Sequence, residues 1–253
     1  MPPRLVQDLR QDIEACAEAG LFTRAGSAEG ATRSAEYCDP IARDRSIGDF
    51  EAFYALWERL DMVRQELSDE LGIELQPEME IHYVSYADGG FYGRHVDDQA
   101  VAGGAPSRRA VSFIAYLTAP SPPWSPADGG QLRVYADAGT CDYQPESGAL
   151  AMFDSTVLEH EVLPTRRERK CLIGWFHTPA AGGGGEELLL ERAALVSIRV
   201  SARVRVRVRV RVRVRVRVRV RVRVTLTLTL TLTSSEGGGA GLASASLATQ
   251  ESA

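Results

Sequence analysis

Four histidines occur in the 253 residues, and two of them, His95 and His160, stand where a metal could be held. His95 is followed two positions later by Asp97, and residues two apart on a strand project from the same face. One strand edge can then offer a neutral imidazole nitrogen and a carboxylate oxygen to a single ion. Asp98 would point to the other face, which leaves Asp97 the better ligand. His160, in the run F-D-S-T-V-L-E-H-E-V-L-P ending at Pro164, is the outstanding third donor. Two histidines and one carboxylate form the facial triad that leaves three positions open on non-haem Fe(II), and oxygen chemistry requires open positions. An H-x-D pair by itself is also the pattern of a satisfied pair at a strand end. Arg169 follows His160 by nine residues and heads the strand-like run Lys170 to Phe176. Its guanidinium fork suits the far carboxylate of a dicarboxylic acid whose near end chelates the metal. A surface salt bridge is the plain alternative for Arg169.

These side chains need a rigid frame, and the surrounding pattern supplies one. EIHYVSYA, RRAVSFIAYLT, QLRVYA, ALAMFDS and KCLIGWFH are short runs rich in β-branched and aromatic residues, separated by Gly, Pro, Asp or Ser. On the second of them Ser112, Ile114 and Tyr116 share strand parity, so all three can face one pocket. Ahead of the strands, Leu5, Val6, Leu9, Ile13 and Cys16 recur at helical spacing and stop at Gly20. Phe50, Phe53, Trp57, Leu60, Leu67 and Leu71 form a second stripe between a start signal at Ser46 to Asp49 and a stop at Gly72. Two helices followed by a series of strands predict an α+β protein with an antiparallel sandwich or barrel core.

Charge divides the chain. Residues 1–185 hold 16 basic and 29 acidic side chains, a net −13, and the remainder holds 13 basic and 5 acidic, a net +8. Between them lies the Gly-rich linker AAGGGGEE at residues 180–187. Then come an eleven-unit Arg-Val alternation from Arg203 to Val224 and four Thr-Leu units to Leu232. A 22-residue strand would extend about 73 Å, against a radius of gyration of about 16 Å for a 185-residue globule. The repeat therefore reads as a low-complexity tail rather than a core strand. Its arginines suit anionic nucleic acid or membrane surfaces, or the acidic front part. The front charge would repel phosphates, which speaks against nucleic acid threading the active site. No run of about 18 apolar residues and no apolar leader is present, which predicts a cytoplasmic or nuclear protein that is neither secreted nor membrane-spanning. Cys16, Cys38, Cys141 and Cys171 include no C-x-x-C pair and read as ordinary thiols.

Taken in order, the motifs carry a resemblance. Y-x(5)-Y-x-x-H-x-D from Tyr86 to Asp97, R-x(6)-Y-L from Arg109 to Leu117, G-G-x-L from Gly129, F-D-S-x-x-x-E-H-E-V-x-P from Phe153, and Arg169 ahead of G-W-F resemble the prolyl 4-hydroxylase-like family. These are Fe(II)- and 2-oxoglutarate-dependent oxygenases, and the similarity is greatest to the oxygen-sensing prolyl hydroxylases and their bacterial relatives. It spans roughly Glu78 to Pro179.

The resemblance implies a double-stranded β-helix, or jelly-roll, with iron held by His95, Asp97 and His160. Arg169 matches the residue pairing with the 2-oxoglutarate C5 carboxylate, and Tyr116 the tyrosine assisting it. Tyr86 and Tyr92 match aromatic positions near the metal and are either cofactor contacts or strand-end core residues. Arg94 and Arg109 match positions at the substrate mouth, or are surface charges. Ile173 stands where the family often has threonine, and the loop of residues 100–107 is short and bland, departures that bear on specificity rather than on iron.

The implied organisation is a helical support region at 1–77, an oxygenase core at 78–179 and the linker and tail at 180–253. The implied cofactors are Fe(II), 2-oxoglutarate and O₂, with ascorbate dependence as a family expectation. The implied activity is hydroxylation of prolyl residues in a protein or peptide. Its rivals are oxidation of another side chain or of a small molecule, a non-catalytic jelly-roll binding module, and a nucleic-acid-associated protein acting through its Arg-rich tail.

Overall fold

The computed structural model describes residues 1–25, 32–97, 107–136, 139–179, 195–201 and 205–210. Most of the 100–107 loop, the 180–187 linker, Asp98 and both repeats beyond 210 lie outside the described residues.

The chain opens with helix α1, Pro3–Glu18, whose buried side chains Leu5, Val6, Leu9, Ile13 and Cys16 are the predicted stripe. Strands β1 (Thr23–Ala25) and β2 (Arg33–Cys38) follow, then helix α2, Phe50–Leu71. The Asp49 carboxylate caps α2 by accepting from the Ala52 N–H, and Gly72 ends it at φ +65°, a left-handed turn that glycine adopts without strain. The buried face of α2 is rotated slightly from the sequence expectation. It centres on Phe53, Leu56, Leu60 and Val63, and Leu71, in the last turn, is 40% exposed.

The rest is strand: β3 (Met79–Tyr86), β4 (Phe91–His95), β5 (Ser107–Tyr116), β6 (Leu132–Ala136), β7 (Gly139–Tyr143), β8 (Ala149–Asp154), β9 (Glu159–Val162), β10 (Arg169–Pro179), β11 (Leu195–Ser201) and β12 (Arg205–Val210). Their order is β12-β11-β8-β5-β10-β3-β2-β4-β9-β6-β7, with β1 beside β2 and every pairing antiparallel. Strand β2 joins the two halves of this curled sheet: Glu36 to Cys38 pair with β3, whereas Arg33 and Ser34 pair with β4.

Alternation along the strands builds two cores. Leu172 and Phe176 of β10 and Phe113 and Ala115 of β5 join Leu9, Ile13, Phe53 and Leu60 of the helices. Tyr86, Ile114, Tyr116, Phe153, Val162 and Cys171 form the second core inside the curl. Buried Asp12 fixes the helical layer, accepting from Arg43 at 2.8 Å, from the Tyr83 hydroxyl at 2.6 Å and from the Asp49 N–H at 2.5 Å.

The α+β jelly-roll expectation agrees with this architecture. Two features lie beyond the sequence reading. Region 1–77 supplies strands β1 and β2 as well as helices. Part of the tail is also on the sheet: β11 pairs with β8, from Leu195 opposite Phe153 to Arg199 opposite Ala149, and β12 pairs with β11. An unpaired β8 edge is a template for any alternating, β-branched segment within reach. Only six residues of the Arg-Val alternation form β12, far short of the full repeat.

Candidate metal centre

Strand β4 ends on His95, directly opposite His160 of β9. The sequence reading put His95 and Asp97 on one strand; instead the strand stops at His95 and Asp97 lies in the bend beyond it. A register shift between Tyr92 and His95 turns the chain so that Asp97 folds back toward both rings. One ligand atom from each of His95, Asp97 and His160 lies within 4.8 Å of the others, a group able to hold a metal ion.

Hydrogen bonding decides which atoms face inward. The His95 Nδ1 lies 2.8 Å from the Gly93 carbonyl and the His160 Nδ1 lies 3.0 Å from the Leu158 carbonyl. A carbonyl only accepts, so each Nδ1 carries the proton and each Nε2 is directed to the centre. Asp97 Oδ1 is 3.2 Å from the His95 Nε2 and 3.7 Å from the His160 Nε2, separations that call for a proton or a cation between them. The other oxygen, Oδ2, accepts from the Ser112 hydroxyl at 2.6 Å and the Trp175 indole N–H at 3.0 Å. Ser112 is itself bonded to Ser155 at 2.7 Å.

Burial disfavours the Asp97 anion, but the hydrogen bonds from His95 and Ser112 and the facing His160 imidazole outweigh it and lower its pKa to about 2. Burial pushes the His160 imidazole below its ordinary value, toward the neutral form that binds metals. Tyr92 stacks on His95 at 3.8 Å between ring centroids, and Phe153 packs against His160 at 4.6 Å.

The inner face of β10 continues this site inward. Arg169 is 1% exposed, and its guanidinium lies 4.9 Å from the Tyr86 ring centroid and 5.2 Å from that of Tyr116. It donates from Nε to the Gly130 carbonyl at 3.0 Å and from Nη1 to the Cys171 Sγ at 3.4 Å. Gly130 is required there: its φ is +65°, and a Cβ would sit 3.2 Å from Arg169 Cδ. No carboxylate of the described residues lies within ion-pair distance of Arg169, and among those residues neither its buried Nη2 nor the buried Tyr116 hydroxyl has a hydrogen-bond partner. A buried cation beside an unused donor fits an incoming carboxylate. Lys170 faces the helices, with Nζ 3.0 Å from Glu168 and 3.2 Å from Glu14.

The two remaining sequence candidates part company. Arg94 projects away from His95, pairs with Glu159 and lies 3.9 Å from the Tyr135 ring centroid, on the outer surface. Arg109 stays near the site. It donates to the Asp97 carbonyl at 3.3 Å, covers the Trp175 ring at 3.7 Å and grips both Glu80 oxygens at 2.9 and 2.5 Å. Sequence reasoning missed Trp175 and Glu80 as parts of the site. Trp175 shares parity with Arg169 on β10, a signal that could have found it; Glu80 faces Trp175 across β3 and had none.

A curled antiparallel sheet with a two-histidine, one-carboxylate centre at a strand end and, further in, a buried arginine with no carboxylate partner among the described residues defines a non-haem metal site with an anion pocket. The family model described as the 2OG-Fe(II) oxygenase superfamily matches residues 81–177. A prolyl-4-hydroxylase of Pseudomonas putida is 32% identical, with a TM-score of 0.56 over 70% of this chain and 88% of that one. The chain belongs to the 2OG-Fe(II) oxygenase superfamily. A PKHD-type hydroxylase of Maricaulis maris is 32% identical over 108 residues, 42% of this chain and 45% of that protein. The Trichoplax adhaerens prolyl hydroxylase, solved with a hypoxia inducible factor peptide fragment, shares the fold at 21% identity and a TM-score of 0.57 over 69% of this chain and 79% of that one. The chain spans about half the length of the curated relatives it matches. The family's cofactors are Fe(II), 2-oxoglutarate and O₂, and the donor set around Asp97 together with the orphaned groups at Arg169 fits the first two. Among the described residues no helix is long and apolar enough to cross a membrane.

Proposed function

We propose that this chain is a Fe(II)- and 2-oxoglutarate-dependent dioxygenase that hydroxylates a prolyl residue of a protein or peptide. The observation that carries the reading is the pairing of the His95, Asp97 and His160 cluster with a buried Arg169 that meets no anion among the described residues. His95, Asp97 and His160 hold the iron, their outward atoms already fixed by Gly93, Leu158, Ser112 and Trp175. Arg169 and the Tyr116 hydroxyl take the far carboxylate of 2-oxoglutarate, and Tyr86 packs beneath that guanidinium. When bound, iron and cosubstrate supply a C–H oxidation with O₂ as oxidant, one oxygen atom going to the substrate C–H bond as hydroxyl and the other to succinate as 2-oxoglutarate loses CO₂. The chain's own part is to orient both reagents and to exclude water from the Arg169 end.

The prolyl assignment draws on the P. putida prolyl-4-hydroxylase, the solved structure with the higher identity. At the mouth, Trp175 and Arg109 are the side chains next to Asp97. Arg109 meets the substrate as the guanidinium of an ion pair, because Glu80 occupies its fork. Arg94, on the outer surface, plays no part in the reading. Purified protein incubated with Fe(II), 2-oxoglutarate and a cell lysate should form succinate and leave 4-hydroxyproline in a small set of peptides. Oxygen found only on other residues or on small metabolites refutes the prolyl assignment and leaves the dioxygenase standing. Absence of succinate refutes both.

A further inference from the structure

The interior of the curl carries a third unsatisfied polar group that neither the motifs nor the matched family segment reaches. Tyr37 lies on β2, ahead of residues 81–177. Its ring packs against the inner core that holds Tyr86, Tyr92, Tyr116, Cys171 and Ile173. Its hydroxyl is buried and has no hydrogen-bond partner among the described residues, the same condition as the Tyr116 hydroxyl and the Arg169 Nη2.

Tyr37 stands between the two ends of the site. The Arg33 guanidinium lies 5.5 Å from the ring centroids of both Tyr37 and Tyr92, and Tyr92 stacks on the metal-side His95. Toward the other end, the Tyr37 phenol is a neighbour of the Tyr86 phenol, short of a formed hydrogen bond, and of Cys171, and both of these touch Arg169. Burial, acting against the Arg33 charge, pushes the Tyr37 phenol up to about 12, so it remains a protonated donor at any working pH. An apolar core gains nothing from a tyrosine whose hydroxyl is unmade, since phenylalanine fills the same volume without the desolvation cost. A donor one side chain away from Arg169, whose Nη2 likewise has no partner among the described residues, is instead useful to a dianion.

We infer that Tyr37 is a further cosubstrate-positioning residue, whose hydroxyl donates a hydrogen bond to a carboxylate oxygen of the bound 2-oxo dicarboxylic acid alongside Arg169 and Tyr116. This rests on the dioxygenase reading above. It assigns a role to β2, the strand that joins the two halves of the sheet, in setting cosubstrate affinity.

The test is Tyr37→Phe, read in binding as well as in turnover. Thermal melting of the Mn(II)-loaded protein with and without 2-oxoglutarate reports binding independently of oxidation. In the variant the 2-oxoglutarate dissociation constant and KM should rise roughly tenfold, the loss expected for one hydrogen bond to a charged group. Mn(II) affinity and kcat should stay within about twofold, and the cosubstrate-free protein should melt no lower than wild type. Unchanged 2-oxoglutarate affinity would mean that Tyr37 is served by water alone, and overturns the inference. A lower melting temperature with weakened metal binding would mean a packing role, and overturns it too. If wild-type protein neither binds nor consumes 2-oxoglutarate, the dioxygenase reading fails first; wild-type binding that Tyr37→Phe leaves intact sinks only the role of Tyr37.

Discussion

At the triad both imidazole Nδ1 atoms give their protons to main-chain carbonyls, and the outer oxygen of Asp97 accepts from Ser112 and Trp175, so every polar atom turned away from the centre is satisfied. Toward Arg169 the position is reversed: its Nη2, the neighbouring Tyr116 hydroxyl and, in the same inner core, the Tyr37 hydroxyl are buried with no partner among the described residues. The metal end is thus held in shape by the protein alone, which suits a site whose geometry must be fixed before the ion arrives. The inner end keeps donors in reserve, and a ligand that satisfies them gains the desolvation cost already spent in folding. Substitutions at the first end should therefore act on metal affinity, and those at the second on 2-oxoglutarate.

The largest effect is expected at the first end. Asp97→Ala leaves two neutral imidazoles and no anion, and metal affinity by calorimetry should fall by more than about a hundredfold, with succinate formation lost. Wild-type succinate production by this variant would break the assignment of the triad. Next comes the second end. Arg169→Ala removes the cationic half of a desolvated pair, worth about 3–5 kcal/mol, so the 2-oxoglutarate requirement should rise by two orders of magnitude or more while metal affinity is spared. Lys170→Ala, one residue along but facing Glu14 and Glu168, should leave both unchanged.

Trp175→Phe sharpens the contrast at intermediate size. It deletes one of two donors to Asp97 Oδ2 and should weaken the metal about tenfold without moving 2-oxoglutarate affinity. A chain ended at Gly185 should keep both affinities, because every residue proposed for either end precedes Pro179. Its melting temperature should drop modestly as β8 loses β11. The smallest change is expected at Arg94→Ala. That residue forms an exposed pair with Glu159, so turnover should be unaltered and stability should shift by no more than about 1 kcal/mol. A substantial loss of turnover there would bring Arg94 back to the substrate mouth.

Much of this was legible along the chain because strand parity is a local rule. Ser112, Ile114 and Tyr116 were placed on one face by spacing alone, and Ser112 and Tyr116 prove to meet Asp97 and Arg169 respectively. The same rule put Arg169 and Lys170 on opposite faces. It misled at Asp97, which reaches His95 through a bend and a register shift rather than along a strand, since a backbone irregularity leaves no periodic trace. It could not separate Arg94 from Arg109. One is at the centre of an outer ion pair and the other beside the metal ligand because of which strands they lie next to, which is a property of pairing and not of spacing.

The amino-acid sequence by itself determined the chemical parts: two helices, a series of short strands, one carboxylate and two histidines suited to Fe(II), and an arginine suited to a dicarboxylic acid. Residue type sets what a side chain can bind, and alternation sets which side of its own strand it occupies. Tertiary structure alone decided which of these meet. The β4–β9 pairing sets His95 against His160, β2 carries Tyr37 into the inner core, and β10 lays Trp175 and Arg169 along one wall. The folded chain alone shows which donors are already taken and which still await a ligand, because satisfaction of a buried polar group depends on neighbours far apart in sequence.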